Sequence, residues 1–331
     1  MRELTVRSYR GNQIETVHKV RVVVSDLDGN LVDSTEDAGA LKVPTRSAAK
    51  PFQALPLLAD GVVESFRLSQ KELAISVASH NSEAAQVAVV ARWMERLGFR
   101  EENLVCGSHR PLAKELGFHE ENGKWETVAF APPSRMASNC SGKHAGMLSL
   151  AAFHGWDISD YGNVSHPVQD RYRSMIAQWC EIGEEDIGDC VDGCGAVSWV
   201  MPLGKMAHGF AKLARPDGLG APIVEAMTTY PELVAGKRRL CTAIMRAFRG
   251  KLIAKVGAGG VYGGALLDRK LGIALKVEDG DGRAAAAAFV AVVESLLQIQ
   301  GRLPESLRRF QSPVILNTQG RVVGRYRAEW E

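Results

Sequence analysis

Three short motifs place serine, lysine and asparagine side chains at spacings that suit acyl transfer. They are Ser47-Ala48-Ala49-Lys50, Ser79-His80-Asn81 and Lys255-Val256-Gly257. A serine hydroxyl becomes an effective nucleophile only when a neighbouring base accepts its proton. Residues three apart on a helical turn share one face, so we expect the Lys50 amine to reach the Ser47 oxygen. Lys255 would add positive charge that favours the neutral form of Lys50, and Ser79 would relay a proton to the leaving amine.

The backbone around the first motif is predicted to turn before it becomes helical. Pro51 follows Lys50 directly, and the residue before a proline avoids the helical region. We therefore expect Ser47 to Lys50 to form a tight turn that leads into a helix starting near Pro51. A lone S-x-x-K occurs by chance in many chains, but the order of all three motifs matches the layout of serine β-lactamases and penicillin-binding proteins.

The elements that must position these motifs follow from hydrophobic periodicity and turn residues. A hairpin is predicted from His18 to Ser34, with its turn at Asp28-Gly29-Asn30. Helical periodicity covers residues 51–60, 70–73, 84–97, 142–154, 167–180 and 281–298. Strands and glycine-rich turns alternate from Lys251 to Val277, and a strand pair is predicted at the C-terminal end.

Strands at both ends with helices between them predict an α/β (α+β) sandwich. Its mainly antiparallel sheet would come from the N- and C-terminal segments. We expect a single catalytic domain over residues 1–331, with a sheet lobe at about 1–45 and 250–331. An inserted helical lobe would span about 46–249.

Composition and charge restrict the class of protein and its partners. Apolar residues make up 46% and charged residues 24%, as in ordinary globular proteins. A formal net charge of +2 gives no reason to expect nucleic acid or an anionic membrane as partner. The apolar run Ala284–Val293 is too short to span a bilayer. The polar N-terminal segment carries no signal-peptide core, so a cytoplasmic location with free thiols is expected.

Five segments resemble the asparaginase II family, the rhizobial-type L-asparaginases. They are RSAAKPFQALPL (46–57), ASHNSE (78–83), NCSGKHAGML (139–148), DGCGAV (192–197) and KVGAGGVYG (255–263). The similarity extends from the N-terminal hairpin to the terminal PVILNTQGRVVG, and so covers nearly the whole chain.

The resemblance implies an activity and a set of site residues. Members of this family hydrolyse L-asparagine to L-aspartate and ammonia, and resemble serine-dependent glutaminases and β-lactamases in fold. Carried over to this chain, Ser47 and Lys50 form a serine-lysine pair, with Ser79 beside it and Lys255 nearby. Which of the two serines is acylated stays open. A homodimer is the expected assembly.

The resemblance also implies a zinc ion held by Cys140, Lys143 and Cys194, with water as fourth ligand. From the residues alone the site is only suggested: thiolates are good zinc ligands, whereas a lysine amine must first lose its proton. Cys190, four residues before Cys194, is an alternative ligand or a core thiol. The zinc would be structural or would tune affinity, because the nucleophile already has a base.

The predicted mechanism is attack of Ser47 on the side-chain carbonyl of asparagine, with Lys50 as base and water then hydrolysing the ester. Backbone N–H groups near the start of the following helix would stabilise the oxyanion. Arg46 and His80 are candidates for binding the substrate carboxylate, and Asn81 for orienting the amide. The choice between asparagine and glutamine stays open, since one methylene discriminates weakly.

Two small departures from the family pattern bear on substrate preference. Gly259-Gly260 stands where an acidic residue before the glycine is expected, and Ser108 stands where a proline is usual.

Two other classes of protein compete with this interpretation. Asp26-Leu27-Asp28-Gly29 after an apolar strand resembles the opening motif of haloacid-dehalogenase-type phosphatases, with Asp26 as nucleophile, Asp28 as general acid and a magnesium ion. The same residues are already explained as a hairpin turn. A non-enzymatic cytosolic zinc-binding protein would use the cysteines and leave the serine motifs as coincidences.

Overall fold

The computed structural model describes residues 2–111 and 130–331. Its strands are β1 (Leu4–Arg10), β2 (Gln13–Ser25), β3 (Leu31–Ser34), β4 (Lys42–Pro44), β5 (Gly188–Val191), β6 (Val197–Pro202), β7 (Leu252–Gly257), β8 (Val261–Leu266), β9 (Leu271–Val277), β10 (Val314–Leu316) and β11 (Val322–Trp330). Its helices are α1 (Lys50–Gln53), α2 (Leu55–Ala59), α3 (Val62–Ser65), α4 (Gln70–Ser76), α5 (Ala84–Arg96), α6 (Ser141–His154), α7 (Pro167–Cys180), α8 (Leu203–Leu213), α9 (Ala221–Thr229), α10 (Pro231–Val234), α11 (Leu240–Ala247), α12 (Gly282–Leu297) and α13 (Glu305–Gln311).

The main sheet is built from the two ends of the chain, as predicted. The order β10-β11-β1-β2-β9-β8-β7, with β3 added to β2, includes eight of the described strands. Neighbouring strands run antiparallel, for example β1 with β11 and β2 with β9. The α/β fold class with an antiparallel sheet and an inserted run of helices is therefore confirmed.

The described chain divides into two compact units. The sheet unit contains the residues up to Ala48, Met201–Ala214 and Ala243–Glu331. The helical unit contains the described parts of Ala49–Val200 together with Arg215–Thr242. Helix α8 clusters with the sheet, although the sequence assigned that stretch to the helical lobe. Organisation as one catalytic domain stays a prediction.

Two helices cover opposite faces of the sheet. Adjacent residues of β8 point to opposite faces, so their contacts show which helix lies on each side. A Cβ at Gly263 would meet the Phe210 ring of α8, whereas a Cβ at Gly264 would meet the Phe289 ring of α12. Helix α8 also lies directly on β9, since a Cβ at Gly272 would lie 1.9 Å from the Ala207 carbonyl oxygen. Glycines in the central strands thus admit the helices at close range.

Sequence patterns found the long amphipathic helices and the C-terminal strands but missed β1. The sequence of β1, LTVRSYR, is polar in composition, and it gains its place by pairing with β2 on one side and β11 on the other. The short β5–β6 hairpin inside the helical unit was also missed. Within the described ranges, every helix is too short or too polar to cross a membrane.

The α12–α13 contact includes a buried carboxyl group. The side chain of Glu294 accepts hydrogen bonds from Gln311 Nε2 at 3.0 and 2.9 Å, and Glu294 is 8% exposed. Burial raises the pKa of the Glu294 carboxyl, and the Gln311 bonds lower it by less. The ionised form is therefore disfavoured in the folded protein.

The substitution Glu294→Gln should increase stability at neutral pH. A carboxyl group with a raised folded pKa binds its proton more tightly when folded, so wild-type stability falls as pH rises through that pKa. We expect a gain below about 1 kcal/mol at pH 7, vanishing near pH 4, close to the ordinary glutamate pKa of about 4.3. Urea unfolding at both pH values measures it. The exposed Glu95→Gln is the control, and equal gains in both variants would contradict the explanation.

Candidate functional site

The buried amine of Lys50 is the centre of the candidate active site in the helical unit. Lys50 is 1% exposed and begins α1. Its Nζ donates to the Ala78 carbonyl oxygen and lies 3.3 Å from Ser79 Oγ and 3.2 Å from Cys140 Sγ. Three separate chain segments therefore converge on one amine.

The turn that carries Ser47 has the local structure predicted from Pro51. Residues Arg46–Ala49 form a 3-10 turn that continues directly into α1, with the proline in the first helical turn. Arg46 has a φ of 50°, a left-handed conformation that costs a non-glycine residue free energy and is often found at functional sites. Ser47 belongs to the sheet unit and is 9% exposed.

The K-x-G motif lies against this turn inside the sheet unit. A Cβ at Gly257, the last residue of β7, would lie 3.0 Å from the Thr45 carbonyl oxygen and 3.2 Å from the Ala48 nitrogen. The glycine thus lets β7 approach the backbone on both sides of Ser47. Lys255, two residues earlier, is 1% exposed and donates to the Val256 carbonyl oxygen at 2.9 Å.

His80 is held inside the helical unit in a defined tautomer. Its Nδ1 accepts from the Ser82 N–H at 3.1 Å, so its Nε2 donates to Ser141 Oγ at 2.9 Å. Burial, followed by the charge of Lys50, lowers the pKa of His80 to about 3. A neutral ring with both nitrogens engaged fits a positioning role, and carboxylate binding by His80 stays a prediction.

Asn81 is also engaged on both sides of its amide. Its Oδ1 accepts from Arg239 Nη1 at 3.0 Å, and its Nδ2 donates to Glu83 Oε1 at 3.3 Å. Gly236 has a φ of 109°, and a Cβ there would lie 2.2 Å from Asn81 Nδ2. The segment from Gly236 to Arg239 therefore clamps the S-x-N motif. Arg239, which is buried, was not found from the sequence because no local motif marks it.

The three predicted metal ligands come together in the same unit. Cys140 Sγ, Cys194 Sγ and a carboxylate oxygen of Asp192 all lie within 4.8 Å of one another. The Nζ of Lys143, in the first turn of α6, lies 3.2 Å from Cys194 Sγ. Asp192 and Cys194 belong to the turn between β5 and β6, which the Asp192 N–H closes by donating to the Ala196 carbonyl.

Asp192 is the cluster residue that sequence reasoning missed, although it opens the quoted segment DGCGAV. No other group of His, Cys, Asp and Glu side chains in the described chain is close enough to hold a metal ion. Cys190, the alternative ligand, is half-buried and donates to the Ser198 carbonyl instead.

The cluster shares its protons unevenly. A hydrogen bond from Cys140 lowers the pKa of Cys194 to about 5, and the Lys143 charge acts in the same direction. The bond to Cys194, together with burial, raises the pKa of Cys140 to about 12. Burial alone would lower the pKa of Lys143, but the charges of Cys194, Cys140 and Asp192 outweigh it and raise that pKa.

These donors fit a zinc ion. Two sulfurs, one carboxylate and one amine form the N, O and S donor set that zinc prefers. The lowered pKa of Cys194 favours its thiolate, and zinc would replace the protons held by Cys140 and Lys143, because metal binding requires deprotonated ligands.

A direct backbone contact between α4 and α6 brings these groups together. A Cβ at Gly142 would lie 2.0 Å from the Ile75 carbonyl oxygen and 2.6 Å from its carbon. The start of α6 can therefore reach the end of α4, where Ala78 and Ser79 follow. The Lys50–Cys140 and His80–Ser141 contacts both depend on this approach.

The Asp26 segment forms a structural turn between β2 and β3. One carboxylate oxygen of Asp26 accepts from the N–H groups of Asp28 and Asn30 at 2.9 Å, and the other accepts from Asn30 Nδ2 at 3.0 Å. Both oxygens therefore hold the turn, and the phosphatase alternative gains no support.

Comparisons with known proteins identify a family for the chain. The family model of L-asparaginase II matches residues 6–328. No curated protein matches the chain. Among solved structures, a β-lactamase from Mycobacterium bovis is 13% identical, with 84% of this chain and 94% of that chain covered and a TM-score of 0.43. A β-lactamase from Sphaerobacter thermophilus is 15% identical, with coverages of 87% and 93% and a TM-score of 0.41.

The substitution Gly142→Ala should disrupt the site. The added methyl would overlap the Ile75 backbone, which has no flexible end to move away, so we expect a loss of at least about 2–3 kcal/mol of unfolding free energy. Gly146→Ala, one turn later in α6, is the matched control. Its Cβ would make ordinary van der Waals contacts with the side chains of Leu57 at 3.4 Å, Trp93 at 3.8 Å and Ser76 at 3.9 Å, and alanine should gain up to about 1 kcal/mol in a helix. Urea denaturation of both variants measures the difference, and similar stabilities would show that the α4–α6 approach is not limiting.

Proposed function

The chain belongs to the L-asparaginase II family, and on that premise we propose that it hydrolyses L-asparagine to L-aspartate and ammonia through a serine acyl-enzyme. Family membership makes it an asparaginase-type amidohydrolase. The observation that carries the serine-lysine mechanism is the buried Lys50 amine, 3.3 Å from Ser79 Oγ. A lysine confined next to a serine hydroxyl is the pairing that activates a serine in hydrolases without a catalytic histidine.

Ser47 is the proposed nucleophile. It attacks the side-chain carbonyl carbon of asparagine while Lys50, in its neutral form, accepts the hydroxyl proton. Collapse of the tetrahedral intermediate breaks the C–N bond, and Ser79 passes a proton from Lys50 to the departing ammonia. Water then hydrolyses the aspartyl ester. The Lys50–Ser79 contact supports the relay, and Lys255 supplies positive charge.

Ser79 is the second candidate for the acylated residue, because it is the serine that directly contacts Lys50. Under this assignment Ser47 becomes the relay. The two assignments predict different labelled residues, and a peptide map of the trapped intermediate separates them.

Substrate recognition is assigned chiefly to Arg46. Its guanidinium can pair with the substrate α-carboxylate, and its strained backbone immediately precedes Ser47. Asn81 and His80 act mainly as positioning residues, since Arg239, Glu83, Ser82 and Ser141 already engage their side chains. Backbone N–H groups of the turn that enters α1 are the proposed oxyanion donors.

Zinc is the proposed metal, held by Cys140, Lys143 and Cys194, with Asp192 available as a further ligand. When bound, the ion supplies a fixed positive charge next to the serine-lysine groups. Cys140 contacts Lys50, so the cluster also holds that amine in place and keeps it from water. A homodimer remains a prediction from the family resemblance, and a cytoplasmic location remains a prediction from the sequence.

Ammonia release from L-asparagine and L-glutamine, measured on wild type and Ser47→Ala, tests the function. We expect asparaginase activity in the wild type and a loss of on the order of 10⁴-fold in the variant, because removal of a nucleophile removes covalent catalysis. The intermediate, trapped by acid quench during turnover, should carry the aspartyl group on Ser47.

Ser149→Ala is the matched control for this experiment. Ser149 is a buried serine of α6 whose hydroxyl donates to the Ala145 carbonyl in the same helix, so activity should be kept. An aspartyl group on Ser79 in the Ser47→Ala variant would transfer the nucleophile to Ser79. Full activity in both Ser47→Ala and Ser79→Ala would contradict the serine mechanism.

Metal content tests the zinc proposal independently of activity. Protein purified with zinc should hold about one ion per chain, and Cys140→Ser or Cys194→Ser should lose it. Cys190→Ser is the control and should retain zinc, because its thiol bonds to the Ser198 carbonyl outside the cluster. Retention of zinc by Cys194→Ser, measured by inductively coupled plasma mass spectrometry, would contradict the assignment. Asp192→Asn should weaken zinc affinity by about 10- to 100-fold.

A further inference from the structure

A chain of polar side chains crosses the sheet unit within one stretch of β1, β2 and the turn after β9. The register places Ser8 of β1 directly opposite Thr16 of β2, and their hydroxyl oxygens lie 2.5 Å apart. Thr16 Oγ1 lies 2.7 Å from His18 Nε2. His18 Nδ1 lies 2.6 Å from Asp279 Oδ2. A hydroxyl, an imidazole and a carboxylate are thus joined in sequence.

The direction of these hydrogen bonds follows from the carboxylate. Partial burial raises the pKa of Asp279, but bonds from the Asp281 N–H and from His18 outweigh it, so the pKa is lowered. An ionised carboxylate only accepts, so His18 Nδ1 carries the hydrogen. In the neutral ring Nε2 is then an acceptor, and the Thr16 hydroxyl donates to it. Ser8 donates in turn to Thr16.

The histidine and the threonine of this polar network differ in their access to solvent. His18 is 5% exposed and stacks on the Tyr326 ring, with ring centroids 5.7 Å apart. Thr16 is exposed. The base is therefore shielded and held in one orientation, and the threonine lies at the solvent-exposed side of the network.

We propose that Thr16, His18 and Asp279 form a second nucleophilic site, which accepts acyl groups from carboxylic esters with good leaving groups. Nucleophile, base and orienting carboxylate stand in the relation that activates a hydroxyl in triad hydrolases. These residues are absent from the proposed asparaginase machinery, so the site is independent of it.

The reaction at this site balances without a cofactor. Thr16 Oγ1 bonds to the ester carbonyl carbon, and His18 Nε2 takes the hydroxyl proton. The carbon–oxygen bond to the leaving alcohol breaks, and the alcohol departs with the proton or as its anion. Water, deprotonated by His18, then hydrolyses the threonine ester and releases the carboxylic acid.

The part of β2 that extends beyond its pairing with β9 offers a hydrogen-bond donor for the oxyanion. The Lys19 carbonyl accepts from the Glu278 N–H, so the backbone of Lys19 faces the β9 side. Strand alternation turns the Val17 N–H toward the same side. The β2–β9 register begins only at Val20, so this N–H lies beyond the paired region, next in sequence to Thr16. A single donor of this kind suits activated esters better than amides.

Acetylation by p-nitrophenyl acetate tests the proposal. The protein used is the full chain with Ser47→Ala and Ser79→Ala, so that acylation at the other site does not contribute. Acid quench and peptide mapping by mass spectrometry should find an acetyl group on Thr16. His18→Gln should slow its formation by on the order of 100-fold, the contribution expected of a general base. Asp279→Asn should slow it by about tenfold, because the ring loses its orienting acceptor.

Matched variants keep the test decisive. Glu278→Gln removes an adjacent acid that pairs with Arg21 rather than His18, and it should acetylate Thr16 at the rate of its parent. The side chain of Asp279 is 48% exposed, so its variant remains informative if His18→Gln fails to fold. Absence of acetyl-Thr16 in the parent, or equal labelling rates in parent and Asp279→Asn, would overturn the proposal and leave the network a structural one.

Discussion

The buried amine of Lys50 is the contact on which the arrangement of the helical unit depends. A lysine taken out of water loses several kcal/mol of hydration free energy, which polar partners of its amine must offset. Lys50 finds them in a carbonyl after α4, a serine hydroxyl and the thiol before α6. None of these three groups is a carboxylate.

The contact between Lys50 and Cys140 links the serine-lysine groups to the cysteine cluster. Cys140 touches Lys50 on one side and shares a proton with Cys194 on the other. Any change in the charge of the cysteine cluster therefore changes the electrostatic potential at the Lys50 amine, because Cys140 Sγ contacts both. A tight backbone approach makes this possible, because Gly142 leaves no Cβ between α6 and the end of α4. The close approach of α6 to the end of α4 is thus a local steric requirement of the site, whereas its reactive side chains come from segments that are distant in sequence.

Strain and close packing concentrate around the motifs. Arg46 and Ser82 adopt positive φ values although neither is glycine. Arg46 immediately precedes the S-x-x-K motif, and Ser82 immediately follows the S-x-N motif. Such conformations persist only where surrounding contacts hold them. For Ser82 those contacts are the His80 ring and the Ala137 carbonyl. For the Arg46 turn they include the end of β7 at Gly257. The sheet and the helices therefore act as supports for backbone shapes that short segments would not keep alone.

The family resemblance implied the cysteine-lysine cluster, whereas residue order and periodicity predicted the motifs, the long helices and the antiparallel sheet from both chain ends. These features are encoded locally or in a repeating pattern, so a single chain reveals them. Asp192 as a cluster member, Arg239 behind Asn81, the strand β1 and the Thr16–His18–Asp279 network came only from the folded protein. Each depends on contacts between residues far apart in sequence, such as the 158 positions between Asn81 and Arg239. No local pattern specifies which distant partner satisfies a buried polar group; packing of the whole chain decides it.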